Sequence, residues 1–175
     1  DNLGLAHALL GEADLLSLLG KPDQALDLYR QAEDLYRQEQ ANLGLANALL
    51  GEADLLSRIG LPDQALDLYR QAEGLYRQEQ DNLGLANAYF AQGELFWQNN
   101  QLSDAARALE QALPLYESEG ISFFLAMTCA LLSRIYLQLD EQVEKVSALV
   151  QRAKDVAKTL PPQEREIIEE ILGGQ

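Results

Sequence analysis

Residues 2–40 read NLGLAHALLGEADLLSLLGKPDQALDLYRQAEDLYRQEQ, and residues 42–80 read NLGLANALLGEADLLSRIGLPDQALDLYRQAEGLYRQEQ. With the residue before each stretch included, the two differ at six positions: Asp1/Ala41, His7/Asn47, Leu18/Arg58, Leu19/Ile59, Lys21/Leu61 and Asp34/Gly74. Segments this alike adopt the same local structure and pack alike against their neighbours, which defines a repeat array. Further along, residues 81–120 carry the same NLGLANA and then diverge. Residues 121–160 keep the pattern faintly, with one extra residue near Asp140–Glu144.

Each unit reads as two helices. The first is expected over about Leu3–Leu19, with Asn2, Asn42 and Asn82 as N-caps. Gly20 and Gly60 end it, and Pro22 and Pro62 then open the second helix, where proline is tolerated. In that second helix Ala25, Leu28, Tyr29, Ala32, Leu35 and Tyr36 follow the spacing of one buried face. Asp27, Arg30, Glu33, Asp34 and Arg37 read as a solvated outer face, supported by the pairs Arg30–Asp34 and Glu33–Arg37. Nothing reads as a strand. Tight turns make the helices antiparallel, and stacking of pairs closes a core that one pair alone cannot bury. The fold class expected is therefore all-α, an α-solenoid of stacked antiparallel helix pairs, with units 1–40, 41–80, 81–120 and 121–160.

The chain has 175 residues, is 47% hydrophobic and carries a formal net charge of -15. Residues 1–120 hold 20 acids against 7 bases, while residues 121–160 hold 4 against 5. Such a surface repels phosphates and anionic lipid, so neither nucleic acid nor membrane is expected as a partner, and a basic or neutral protein or peptide is. No run of residues is long and apolar enough to span a bilayer, and no signal peptide is visible. The chain reads as a fragment of something longer. Cys129, the lone cysteine, lies in the apolar run FFLAMTCALL and reads as a small core residue. It allows no intrachain disulfide, which suits a reducing, cytoplasmic setting.

At the level of motif the chain resembles a tetratricopeptide repeat. The small residue of the first helix is matched by Ala13, Ala53, Gly93 and Ser133, and the large one three later by Leu16, Leu56, Phe96 and Tyr136. The turn residue is matched by Gly20, Gly60, Asn100 and Asp140. In the second helix come Ala25, Ala65, Ala105 and Val146, then Tyr29, Tyr69, Leu109 and Val150, then Ala32, Ala72, Ala112 and Ala153. The departure is length, 40 residues against the common 34, as in the longer repeats of kinesin light chains and of signal-transduction ATPases, where such arrays act as sensors. The resemblance implies a non-catalytic scaffold for protein–protein interaction, the recognition arm of a larger signalling protein. Residues 161–175 follow Pro161–Pro162 with a short helix whose Ile167, Ile168, Ile171 and Leu172 share a face. It reads equally as a cap or as the truncated start of a further repeat.

In that family the first helices line a concave groove. The resemblance places there His7, Asn47 and Asn87, then Leu10, Leu50 and Phe90, then Asp14, Asp54 and Glu94, with Trp97 and Arg58 further along. Asparagines suit the backbone of an extended peptide, and the acidic row favours Lys or Arg on the partner. Phe90 and Trp97 would anchor it, and Gly11 and Gly51 would let a ligand near the helix backbone. The bland readings stand beside these: solvated asparagines, aromatics that belong to the core, and likeness left by recent duplication.

No chemistry of catalysis is legible. His7 is the only histidine, and Asp14 and Ser17 on the same helix lie roughly 10 and 15 Å along it. No phosphate loop, calcium loop or zinc spacing occurs, so neither cofactor nor metal is expected. A second functional reading is structural: nearly identical units offer matching ends, through which copies could form homo-oligomers.

Overall fold

The computed structural model describes residues 2–140 and 143–173. Among them are nine helices and no strand. The extra residue expected near Asp140–Glu144 falls partly on 141 and 142, outside the described residues. Two compact units divide the chain, residues 1–91 and 92–175.

The first unit holds α1 (Asn2–Leu18), α2 (Pro22–Gln38), α3 (Asn42–Arg58), α4 (Pro62–Glu79) and the start of α5 (Asn82–Gln98). The pairs α1–α2 and α3–α4 pack along their length, and α2 packs on α3. Small residues allow this approach and tyrosines fill the space between helices. Ala6, Ala32, Tyr36 and Ala48 form one cluster, and Ala13, Ala25, Tyr29 and Leu55 another. A third joins Ala46, Leu49, Ala72, Tyr76 and Ala88.

The turns have a common chemistry. Gly20 and Gly60 take left-handed φ values of 70° and 81°. The Lys21 amide then donates to the Leu16 carbonyl at 2.9 Å, and Leu61 to Leu56 at 2.9 Å. This closure satisfies carbonyls that the helix end leaves open. Between pairs Gln40 and Gln80 adopt the same conformation, φ 54° and 58°, although neither is glycine. The Ala41 and Asp81 amides complete that closure on Tyr36 and Tyr76, each at 2.9 Å. Pro22 and Pro62 start their helices as expected.

The asparagines do not cap as expected. Asn42 is already helical, behind Ala41, which offers no side-chain cap. Its amide donates instead to Glu79 Oε1 at 2.7 Å, and Asn2 to Glu39 at 2.8 Å. Each asparagine thereby ties the start of a pair to its end. The true side-chain cap at this place is Asp81, whose Oδ1 accepts from the Gly84 amide at 2.9 Å.

The second unit continues α5 and adds α6 (Leu102–Ser118), α7 (Ser122–Gln138), α8 (Val143–Ala157) and α9 (Pro162–Gly173). Gly93 lies against Leu109: a Cβ there would stand 2.7 Å from Leu109 Cγ, so even a methyl group would force Leu109 to shift. Tyr116 stacks on Phe124 with centroids 5.3 Å apart. Ala126, Cys129, Ala130, Ala153, Ala157, Leu160 and Ile168 close the core. Cys129 is fully buried there, and burial pushes its thiol up to about 11. Helix α9 seats Ile168 against α7 and α8, while Ile167, expected on the same apolar face, is exposed. Arg165 donates to the carbonyls of Ala157, Lys158 and Leu160 at 3.2–3.3 Å, satisfying the end of α8.

Candidate functional site

An antiparallel pair that turns about Lys21–Pro22 brings level those residues that lie equally far from the turn. Asp14 and Tyr29 are such a pair, as are His7 and Tyr36. In the second pair the counterparts are Asp54 with Tyr69 and Asn47 with Tyr76. The tyrosines belong to the buried stripe, yet each carries a hydroxyl that needs a partner. Tyr29 donates to Asp14 Oδ1 at 2.6 Å, and Tyr69 to Asp54 Oδ1 at 2.7 Å. Tyr76 donates to Asn47 Oδ1 at 2.6 Å. The polar row of the first helices is thus held from behind by hydroxyls of the second helices.

Position 7 breaks the pattern in the first pair. His7 turns its Nδ1 to the Leu3 carbonyl at 2.7 Å and sets its ring edge-on to Tyr36, centroids 5.4 Å apart. The Tyr36 hydroxyl is left buried with no hydrogen-bond partner.

Electrostatics follow from this packing. Burial raises the Tyr29 phenol well above its usual range, and the Asp14 carboxylate adds to it. Burial likewise raises Tyr76, with Asp81 and Asp54 contributing. The Asp54 carboxyl is also raised, first by the protein atoms crowded around it and then by Asp14, against the opposing pull of Tyr69 and Arg58. Its side chain nevertheless keeps an exposed surface. Arg58 bonds to the Ser17 hydroxyl, linking α3 to α1 near Asp54. One oxygen of each aspartate is engaged by tyrosine, and a carboxylate has about four lone-pair sites, so acceptor capacity remains.

The other expected residues fall out differently. Leu10 and Leu50 are partly buried and pack on the core clusters. Phe90 is 5% exposed, so it belongs to the core rather than to a contact surface. Asn87 is partly buried. Glu94 and Trp97 lie in the second unit, where Arg134 stands over the Trp97 ring at 5.1 Å and occupies its face. Gly51 does not admit a ligand. A Cβ there would stand 2.7 Å from Tyr29 Cε1, and Gly44 is likewise pressed against the Tyr36 ring. These glycines make room for tyrosines.

The outer face of α2 is also not wholly solvated. Glu33 is 5% exposed and meets Glu52 of α3, which is equally buried. Arg37 holds Glu33 Oε2 at 2.8 Å, and Arg30 reaches Glu52 at 3.4 Å rather than Asp34. Burial, with the neighbouring Glu52 carboxyl, raises Glu33 to about 7, against the opposing pull of Arg37. Among the described residues no group of three or more His, Cys, Asp or Glu could hold a metal ion, and no helix is long and apolar enough to cross a membrane.

Residues 44–118 match the family model for the tetratricopeptide repeat. No curated protein matches the sequence. Among solved structures the chain is similar to aspartyl phosphate phosphatase F from Bacillus subtilis, at 17% identity and a TM-score of 0.88, over 99% of this chain and 47% of that one. It is similar to a Podosopora anserina putative kinesin light chain with nearly identical TPR-like repeats, at 17% identity and 0.77, over 99% and 86%. It is also similar to the STAND protein with a tetratricopeptide repeat sensor from Pyrococcus horikoshii, at 13% identity and 0.79, over 98% and 26%. The chain therefore spans about half of the phosphatase and about a quarter of the STAND protein. Residues 44–118 thus match the tetratricopeptide repeat, and the fold of the chain is similar to that of these solved repeat structures.

Proposed function

We propose that the chain is a non-catalytic scaffold that binds a basic or neutral protein segment on the first-helix face of residues 2–91. The observation that carries this reading is the pair Asp14 and Asp54, exposed at the front and fixed from behind by Tyr29 and Tyr69. Carboxylates held in one rotamer lose little freedom when a guanidinium or ammonium arrives. Asn47, fixed in the same way by Tyr76, keeps its amide N–H groups to donate to a partner's backbone carbonyl. In the second unit Glu94 and Trp97 are the residues proposed to contact the same class of partner.

The setting we infer is a sensor or recognition arm within a larger cytoplasmic signalling protein. Similarity to a STAND protein with a repeat sensor supports that role, and the reduced, buried Cys129 suits the compartment. The phosphatase name belongs to the Bacillus subtilis protein, and the residues assembled here supply no nucleophile–base pair of the kind that hydrolysis needs.

The test is selection of peptides on the full chain from a random display library. Lysine- or arginine-bearing sequences are expected. Asp54→Asn keeps an acceptor for Tyr69 and removes the charge; together with Asp14→Asn, which does the same for Tyr29, it should weaken a selected peptide about tenfold. The exposed second-helix residues Asp27 and Asp63 serve as charge-matched controls. Equal affinity for the groove variant and the control variant removes the assignment.

A further inference from the structure

The two nearly identical first helices, α1 and α3, differ at only two places, His7/Asn47 and Leu18/Arg58. With histidine neutral, only the second difference changes a charge. Arg58 follows Asp54 by four residues, which sets the two side chains on one face of α3. Its guanidinium crosses to α1, where Nη2 donates to the Ser17 hydroxyl. Ser17 is 6% exposed and follows Asp14 by three residues. The same hydroxyl acts on the Tyr29 phenol, which in turn donates to Asp14 Oδ1. Arg58 is thereby tied through Ser17 and Tyr29 to one carboxylate while its charge acts on the other. Burial raises the Asp54 carboxyl and Asp14 adds to it, whereas Tyr69 and Arg58 oppose them. The acidic site of the first unit thus already has a cation beside it. No other module carries a charge at that place: position 18 is leucine, and positions 98 and 138 are glutamine.

We infer, on the reading of Asp14 and Asp54 as partner contacts, that Arg58 is the internal occupant of their site, standing in for a partner's basic side chain and swinging out when that side chain binds. Arg58 and Asp54 are both exposed, so the guanidinium can leave without opening the core. With Arg58 in place the two carboxylates present one net negative charge instead of two, and an incoming guanidinium must compete for them. An exposed ionic contact is weak, so this competition lowers affinity without forbidding binding. It also selects among partners, since a neutral segment gains nothing by displacing Arg58. A basic residue in the last turn of a helix complements the helix dipole as well. That role alone would show in stability and leave peptide binding unchanged.

The probe is labelled hexaarginine, titrated with the full chain and followed by fluorescence anisotropy. Low salt keeps the attraction between exposed charges measurable. Asp14→Asn with Asp54→Asn should bind it less tightly than Asp27→Asn with Asp63→Asn, which removes the same charge from the second helices. Arg58→Leu, which copies position 18, should bind it about fivefold tighter than Arg70→Leu. Arg70 is an exposed arginine of α4, so the two variants have equal net charge. Arg58→Gln keeps a donor for Ser17, loses the charge and should show the same gain. Circular dichroism checks that each variant remains folded, which an exposed position in the last turn favours. Equal binding by Arg58→Leu and Arg70→Leu overturns the inference while the asparagine pairs still differ. Weaker binding by Arg58→Leu overturns it too, since Arg58 would then help to hold the peptide. So does a gain with leucine that glutamine does not share, which marks an apolar contact. Equal binding by the two asparagine pairs removes the reading of Asp14 and Asp54, and the role of Arg58 with it.

Discussion

Helix α1 buries Ala6, Ala13 and Ser17, whereas α3, built from nearly the same residues, buries Ala46, Ala48, Leu49, Glu52, Ala53, Leu55 and Leu56. Both pack against their own second helix. Only α3 also receives the second helix of the preceding pair. The role of a side chain in this array is therefore set by what lies on its far side, and equal sequence yields unequal energetics.

The sharpest break of that comparison is Leu55→Ala against Leu15→Ala. Leu55 is 3% exposed and packs on Tyr29, so its truncation should cost about 2–5 kcal/mol in urea unfolding. Leu15 is 62% exposed, and the same change should stay within about 0.5 kcal/mol. Similar losses would mean that α1 is covered in solution.

Next in size comes the pH dependence at the α2–α3 joint. Glu33, raised to about 7 by burial and by Glu52, favours its protonated form in the fold. Its contribution is fully present below the unfolded value near 4.5 and is lost as pH rises through about 7. The groups that face it are Glu52 of α3 and Arg37 of α2, with Arg30 on Glu52. Unfolding free energy should fall between pH 5 and pH 8, and Glu33→Gln should remove up to about 3 kcal/mol of that fall. An unchanged slope in Glu33→Gln would place the carboxyl in water.

Glycine gives a smaller pair of opposite signs. Gly51→Ala forces a Cβ onto the Tyr29 ring and should destabilise by about 1–3 kcal/mol. Gly11→Ala has open space and should stabilise by up to about 1 kcal/mol through helix propensity. Smallest is the tyrosine pair. Tyr76→Phe loses the bond to Asn47 and should cost about 1 kcal/mol. Tyr36→Phe removes a buried hydroxyl without a partner and should be neutral or stabilising. Equal effects would show that Tyr36 finds an acceptor.

Much of this architecture could be read ahead of the coordinates because it rests on local rules. The apolar stripe of Ala25, Tyr29, Ala32 and Tyr36, the glycines at 20 and 60, and the prolines at 22 and 62 each carry their meaning within a turn of helix. What escaped depends on partners far along the chain. Glu33 looks like a member of a charged face until α3 places Glu52 on it. Gly51 looks like an opening until the ring of Tyr29 fills it. Asn42 looks like a cap, but the residue before it ends the preceding turn and leaves Asn42 already helical. One signal was available: Asp14 and Tyr29 are equidistant from Lys21–Pro22, and a buried phenol needs an acceptor at its own level. At the candidate surface the acidic row was legible as a spacing. The burial of Phe90 and the occupation of Trp97 by Arg134 were not, since both follow from tertiary neighbours.

The seating of Tyr36 against Gly44 and of Tyr76 against Gly84 has an evolutionary corollary. Each ring is coded at the end of one 40-residue module and its glycine at the start of the next. A crossover that duplicates or deletes residues 41–80 as a whole restores both joints without a compensating mutation. A crossover of any other length sets a ring against a side chain. At the next joint Tyr116 meets Phe124 instead, so this tie between ring and glycine belongs to the first three modules, and there the unit of inheritance is the joint as much as the hairpin.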